Sequence, residues 1–170
     1  KANGLDMNKI KVEPVGFPTR EPMLAEGKVD SVTGYSFSSY LNLVRLGVPE
    51  NDITTILMAD HGLNLYGNAI IVNTDFASAN ADVVKSFLGA VGKGWKDAVS
   101  NPSSAIEALA KRNPAADKTL EERRFKLALS GNVMTDYVVK NGMGNIDNAR
   151  FEKAINQLSE TYSYKTKPNA

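Results

Sequence analysis

Residues 34–38 read Gly-Tyr-Ser-Phe-Ser, one position short of the Gly-x-Ser-x-Gly elbow that lifts a nucleophilic serine onto a strand-to-helix turn. Asp60 and His61 follow, so a serine, an acid and a base occur in the order that α/β-hydrolases use. A serine hydrolase built on Ser36 would attack an ester or amide carbonyl while His61 took the hydroxyl proton. Two features oppose this reading. Ser38 stands where the tight turn calls for glycine, and the one histidine sits beside its own candidate acid only a short way downstream. Metal chemistry has less to work with, because the chain holds no cysteine and a single histidine. Asp30, Asp52 and Asp60 each fall at the end of an expected strand, where turns and caps account for them. No catalytic residue, metal site or cofactor is assigned.

The same stretch suits binding without catalysis. In open α/β sheets ligands sit beyond the carboxyl ends of strands, where loops and helix N-termini converge. Thr33, Gly34, Tyr35, Ser36 and Phe37 occupy such a place, after one expected strand and at the start of an expected helix. First-turn amides and serine hydroxyls can donate to a polar or anionic group, and the two aromatic rings add stacking area. A competing structural role exists for the same residues, with Ser36 as the helix N-cap and the rings as core. No Lys or Arg lies in this stretch, so the charge of an anionic solute would have to be met elsewhere.

These residues need elements to hold them. Alternation of polar and apolar residues predicts a half-buried strand over 9–15, and 29–33, 52–59 and 68–72 read as further short strands. A short helix over 18–26 ends at Gly27, and a helix beginning near Ser36 ends at Gly47 and Pro49. Alternating strands and helices imply an α/β lobe with a largely parallel sheet. Gly62 and Gly67 bracket an extended piece that a hinge could use, and Asn64 and Tyr66 within it are further candidate binding residues. From Asn80 the chain turns helical: Val84, Phe87, Leu88, Val91, Trp95 and Val99 mark one buried face. Asn101-Pro102 opens a helix that stops at Asn113, Thr119 to Glu122 reads as a capping box, and Asp147 caps a last helix with Phe151, Ile155 and Leu158 inward.

Composition narrows the function classes. The 170 residues carry a formal net charge of +1 and are 42% apolar, enough for a packed core. Charges are scattered, with no basic stripe interleaved with aromatics, so nucleic-acid binding is not expected. Apolar runs such as Ile70-Ile71-Val72 fall far short of the roughly 20 residues of a membrane span. The opening KANGLDMNK has neither a Met start nor a leader pattern, which suggests the interior of a longer protein.

The run GKVDSVTGYSFSSYLNLVRLGVPENDITTILMADHGLNLYGNAIIVN, followed by FASANADVVKSFLGAVGKGWKDAVSNPSSAIEALAKRNP, resembles the second half of type II periplasmic solute-binding proteins of ABC importers. It is similar to the branch related to thiamine-pyrimidine-binding proteins, which includes taurine, sulfonate and nitrate binders. The likeness rests on the G-x-V-D-S strand entering a glycine turn, the LYGNAIIVN return strand, and the G-W-K-D and N-P-x-x-A-I helices. It extends over about residues 4–167. The resemblance implies two α/β lobes with solute bound between them. Residues 1–61 would be the latter part of the second lobe, 62–67 a hinge crossing, and 68–170 the C-terminal helical part of the first lobe. It further implies a non-catalytic receptor that meets a small solute and a membrane permease, outside the cytoplasm. Pyrimidine-binding relatives carry a glutamate near the place of Tyr40. No acid lies between Asp30 and Glu50, which argues against a thiamine pyrimidine. The cysteine-rich motif of related pyrimidine-forming enzymes is missing too. A two-lobed effector-sensing domain of a regulator is a further alternative, and self-association would cover surfaces that the other half normally buries.

Overall fold

The computed structural model describes residues 3–63, 65–166 and 168. The chain divides into two compact units, Lys1–Leu63 and Asn64–Ala170. The division falls inside the stretch 62–67 singled out as a crossing.

In the first unit, helix α1 spans Phe17–Ala25 and helix α2 spans Ser36–Arg45. Pro18 sits in the first turn of α1, where its missing N–H costs nothing and its fixed φ already suits a helix. Both helices end in the same way. Gly27 takes φ +68°, with Lys28 N–H bonded to Met23 O at 2.8 Å and Gly27 N–H to Leu24 O at 3.0 Å. These are the paired bonds of a Schellman stop, and Gly47 closes α2 alike through Val48 N–H to Leu43 O at 3.1 Å. Helix α1 packs on α2. Leu41 and Leu43 of α2 are buried, and so are two polar residues that meet across the contact, Glu21 and Ser39.

The second unit is built from α3 (Thr74–Ala79), α4 (Ala81–Ser100), α5 (Pro102–Arg112), α6 (Lys118–Ala128), α7 (Asp136–Asn141) and α8 (Asn148–Thr161). A π-helical turn, Leu129–Val133, continues α6. Helix α4 packs on α3 and α5, and α5 packs on α6. Trp95 of α4 and Phe125 of α6 stack with centroids 6.5 Å apart. Ile106 of α5 and Ala154 and Ile155 of α8 are the buried apolar residues described in this unit. Side-chain caps open the helices as expected at Asn101, which accepts from Ser104 N–H at 3.1 Å, and at Asp147, which accepts from Arg150 N–H at 3.0 Å.

Several expectations are corrected. Among the described residues no β-ladder forms, so the helical C-terminal portion is present and the expected parallel sheet is not. A strand persists only when its N–H and C=O groups meet a neighbour's, and residues 9–15, 29–33, 52–59 and 68–72 have no strand beside them. Apolar side chains in these segments stand in the open, Val12 at 72% and Ile71 at 91% exposure. The anticipated capping box at Thr119 gives way to Asp117, whose carboxylate accepts from Thr119 and Leu120 N–H at 2.9 and 3.1 Å and starts the helix earlier. Asn80 stands at the N-cap of α4 but spends its side chain backwards, donating to Phe76 O at 3.0 Å. Phe87 and Leu88 are exposed rather than buried, and the rest of the expected α4 face is no more than half-buried.

Candidate functional site

The turn before α2 forms one side of an open depression of about 280 Å³, lined by Phe17, Arg20, Thr33, Gly34, Tyr35 and Ser38. Three of the expected shelf residues, Thr33, Gly34 and Tyr35, are therefore brought together. Ser36 and Phe37 lie in the first turn of α2, outside that lining. Phe37 stacks on Tyr35 at 5.2 Å between centroids with an 18° interplanar angle, which fixes the half-exposed Tyr35 ring at the rim. Tyr35 rather than Ser36 is the N-cap of α2, and no side-chain bond caps the helix. The Tyr35 carbonyl instead accepts from Ser38 and Ser39 N–H, both at 2.9 Å.

Beneath the shelf lies a polar cluster that the sequence reading missed. Ser39 Oγ donates to Glu21 Oε1 at 2.7 Å. Arg20 donates to the same oxygen from Nη2 at 2.8 Å and from Nε at 3.2 Å, and its Nη2 also reaches Ser39 Oγ at 3.3 Å. Burial pushes the Glu21 carboxyl up, but the hydrogen bonds from Arg20, Ser39 and its own backbone, with the Arg20 charge, outweigh it and hold it below the ordinary value. Gly34 is required by this cluster. A Cβ at position 34 would meet Ser39 Oγ at 2.0 Å and Arg20 Nη2 at 3.1 Å.

Arg20 brings a cation to the shelf from outside the stretch 33–37. It comes from α1, not from the stretch around Ser36, and it also carries its guanidinium 5.1 Å from the Phe17 ring centroid. The signal available in the sequence was helical spacing: Phe17 and Arg20 are three apart and share a face.

Asn64 lies outside the described residues. Tyr66 belongs to the second unit, where its hydroxyl accepts from Asp147 N–H at 2.9 Å and Arg150 Cζ lies 4.3 Å from its ring centroid. Arg150 Nη2 also donates to Leu65 O at 2.8 Å. Tyr66 is thus engaged in holding its segment to α8.

The hydrolase arrangement does not form. Asp60 and His61 belong to a 3-10 turn, Met58–His61, and among the described residues no hydrogen bond joins either to Ser36. No group of described residues could hold a metal ion, and no described helix is long and apolar enough to cross a membrane.

A mostly apolar, aromatic-rimmed depression with a few polar groups is the sort of surface a solute-binding protein offers to a small molecule. A family model described as NMT1/THI5 like matches residues 1–105, more than half of the chain, and the chain belongs to that family. Helices α6 to α8 lie beyond the matched residues. The riboflavin-binding protein RibY of Chloroflexus aurantiacus is 29% identical over 106 residues, which is 62% of this chain and 29% of that protein. The chain therefore spans under a third of that relative. No solved structure matches. Family and relative together bear out the resemblance to the C-terminal half of a substrate-binding protein.

Proposed function

We propose that the chain is part of the substrate-binding component of an ABC importer, which captures a small solute between two lobes and delivers it to a membrane permease outside the cytoplasm. In this reading residues 1–61 are the latter part of the second lobe, 62–67 the crossing and 68–170 the helical end of the first lobe. The observation that carries it is the depression lined by Thr33, Gly34 and Tyr35, within the stretch that matches the family. Ligand contacts from both lobes would exist only in the closed form, so binding shifts the population toward closure. With RibY as a relative, a flavin leads the solute classes to test.

The test is a thermal-shift screen of the full-length protein against flavins, pyrimidines, sulfonates and carboxylates. A ligand at 100 times its Kd stabilises by about 2.7 kcal/mol, a rise of several degrees. A flavin should give such a rise, and Tyr35→Ala should reduce it. A screen in which no compound moves Tm sinks the receptor reading. Ester turnover abolished by Ser36→Ala would replace it with a hydrolase.

A further inference from the structure

The Arg20–Glu21–Ser39 cluster leaves one part of the guanidinium unused. Of its five N–H groups, those on Nε and Nη2 face Glu21 and Ser39. Among the described residues Nη1 has no protein hydrogen-bond partner, while the Arg20 side chain, 19% exposed, forms part of the depression's lining. Glu21 has 4% of its side chain exposed and accepts three hydrogen bonds on one oxygen. The pair therefore offers N–H donors with little net charge.

That balance separates two solute chemistries. A sulfonate or nitrate entering the depression gives up strong hydration and meets a cation whose field a neighbouring carboxylate already cancels. An uncharged ring carbonyl gives up far less and can accept from Nη1, while Phe17 and Tyr35 on the same lining offer faces for its ring. Gly34 keeps the geometry open, since any Cβ there would collide with Ser39.

We propose that Arg20 is the specificity-determining contact of this shelf, donating from Nη1 to a carbonyl oxygen of an uncharged heteroaromatic ring, with Glu21 and Ser39 as the residues that position it. The proposal rests on the receptor reading and names the ligand chemistry that reading leaves open.

Titration calorimetry on the full-length protein tests it, with riboflavin and taurine as probes and with Arg20→Lys, Arg20→Gln and Ser39→Ala as variants. Wild type should bind riboflavin and discriminate against taurine. Both Arg20 variants should bind riboflavin about ten- to a hundredfold more weakly. Arg20→Lys keeps a cation beside Glu21, so its ligand-free Tm should stay near wild type and separate lost recognition from lost folding. Ser39→Ala should weaken riboflavin by less than either. Unchanged riboflavin affinity in both Arg20 variants overturns the role of Arg20 and leaves the receptor reading intact. Tighter binding of taurine than of riboflavin overturns the selection for an uncharged ring. Binding of neither probe by wild type overturns the inference, and the wider thermal-shift screen then decides the receptor reading separately.

Discussion

Ser39 Oγ and Glu21 Oε1 meet at 2.7 Å across the α1–α2 contact, with both residues buried. Each would be costly alone: an unpaired buried carboxylate and an unpaired buried hydroxyl are both unfavourable, and here each satisfies the other. Ser39→Ala keeps the space nearly filled but removes a donor from the carboxylate. We expect it to destabilise the first unit by about 1–3 kcal/mol, read as faster amide hydrogen exchange in α2.

Gly34→Ala should be worse than a loop substitution usually is. Its Cβ would stand 2.0 Å from Ser39 Oγ, so either the serine leaves Glu21 or the turn before α2 moves. Overpacking of this kind costs about 1–3 kcal/mol. Combining it with Ser39→Ala removes the atom struck first, so the double variant should lose less than the sum of the singles. Strict additivity in chemical denaturation would show that the clash is relieved in some other way.

Acid should loosen the first unit through Glu21. Its folded carboxyl titrates below the ordinary value of 4.5, so the unfolded chain takes up the proton first as pH falls. The stabilisation is complete above about pH 4.5 and is lost as pH drops through the lower folded value. Glu21→Gln should flatten that acid slope for α1 and α2. Glu107, also held below its usual value by the hydrogen bond and charge of Lys118, sits in the other unit. Trp95 fluorescence reports that unit, so the two acid effects can be told apart.

The helices and their stops were legible because their signals are local. Gly27, Gly47, Asn101 and Asp147 act within a turn or two of where they stand. The shelf was legible in part for the same reason, since Thr33, Gly34 and Tyr35 are consecutive. Arg20 was not, because it reaches the depression from α1 through a contact between helices that no short motif records. The sheet was overread. A strand-like pattern at Val12 or Ile56 shows that a segment could pair but does not supply the neighbour it needs. Helix α3 was missed because Thr74–Ala79 is a single short turn-and-a-half with no periodicity to detect, set up by the Asn73 cap.

The segment at Leu65 and Tyr66 is tied to α8 by several interactions, and they should weigh unequally. Tyr66→Phe removes the hydroxyl that accepts from Asp147 N–H at 2.9 Å but keeps the ring under Arg150. One part-buried hydrogen bond is worth about 1 kcal/mol. Arg150→Ala removes both the bond to Leu65 O at 2.8 Å and the cation over the ring, and should cost about 2 kcal/mol. Among the described residues Arg150 Nε is buried without a hydrogen-bond partner, a penalty that truncation relieves, which keeps the loss from being larger. Because both substitutions act on one cluster, their effects should couple rather than add. Denaturation followed by Trp95 fluorescence checks this. A larger loss for Tyr66→Phe than for Arg150→Ala would mean that the hydroxyl, not the guanidinium, anchors the segment.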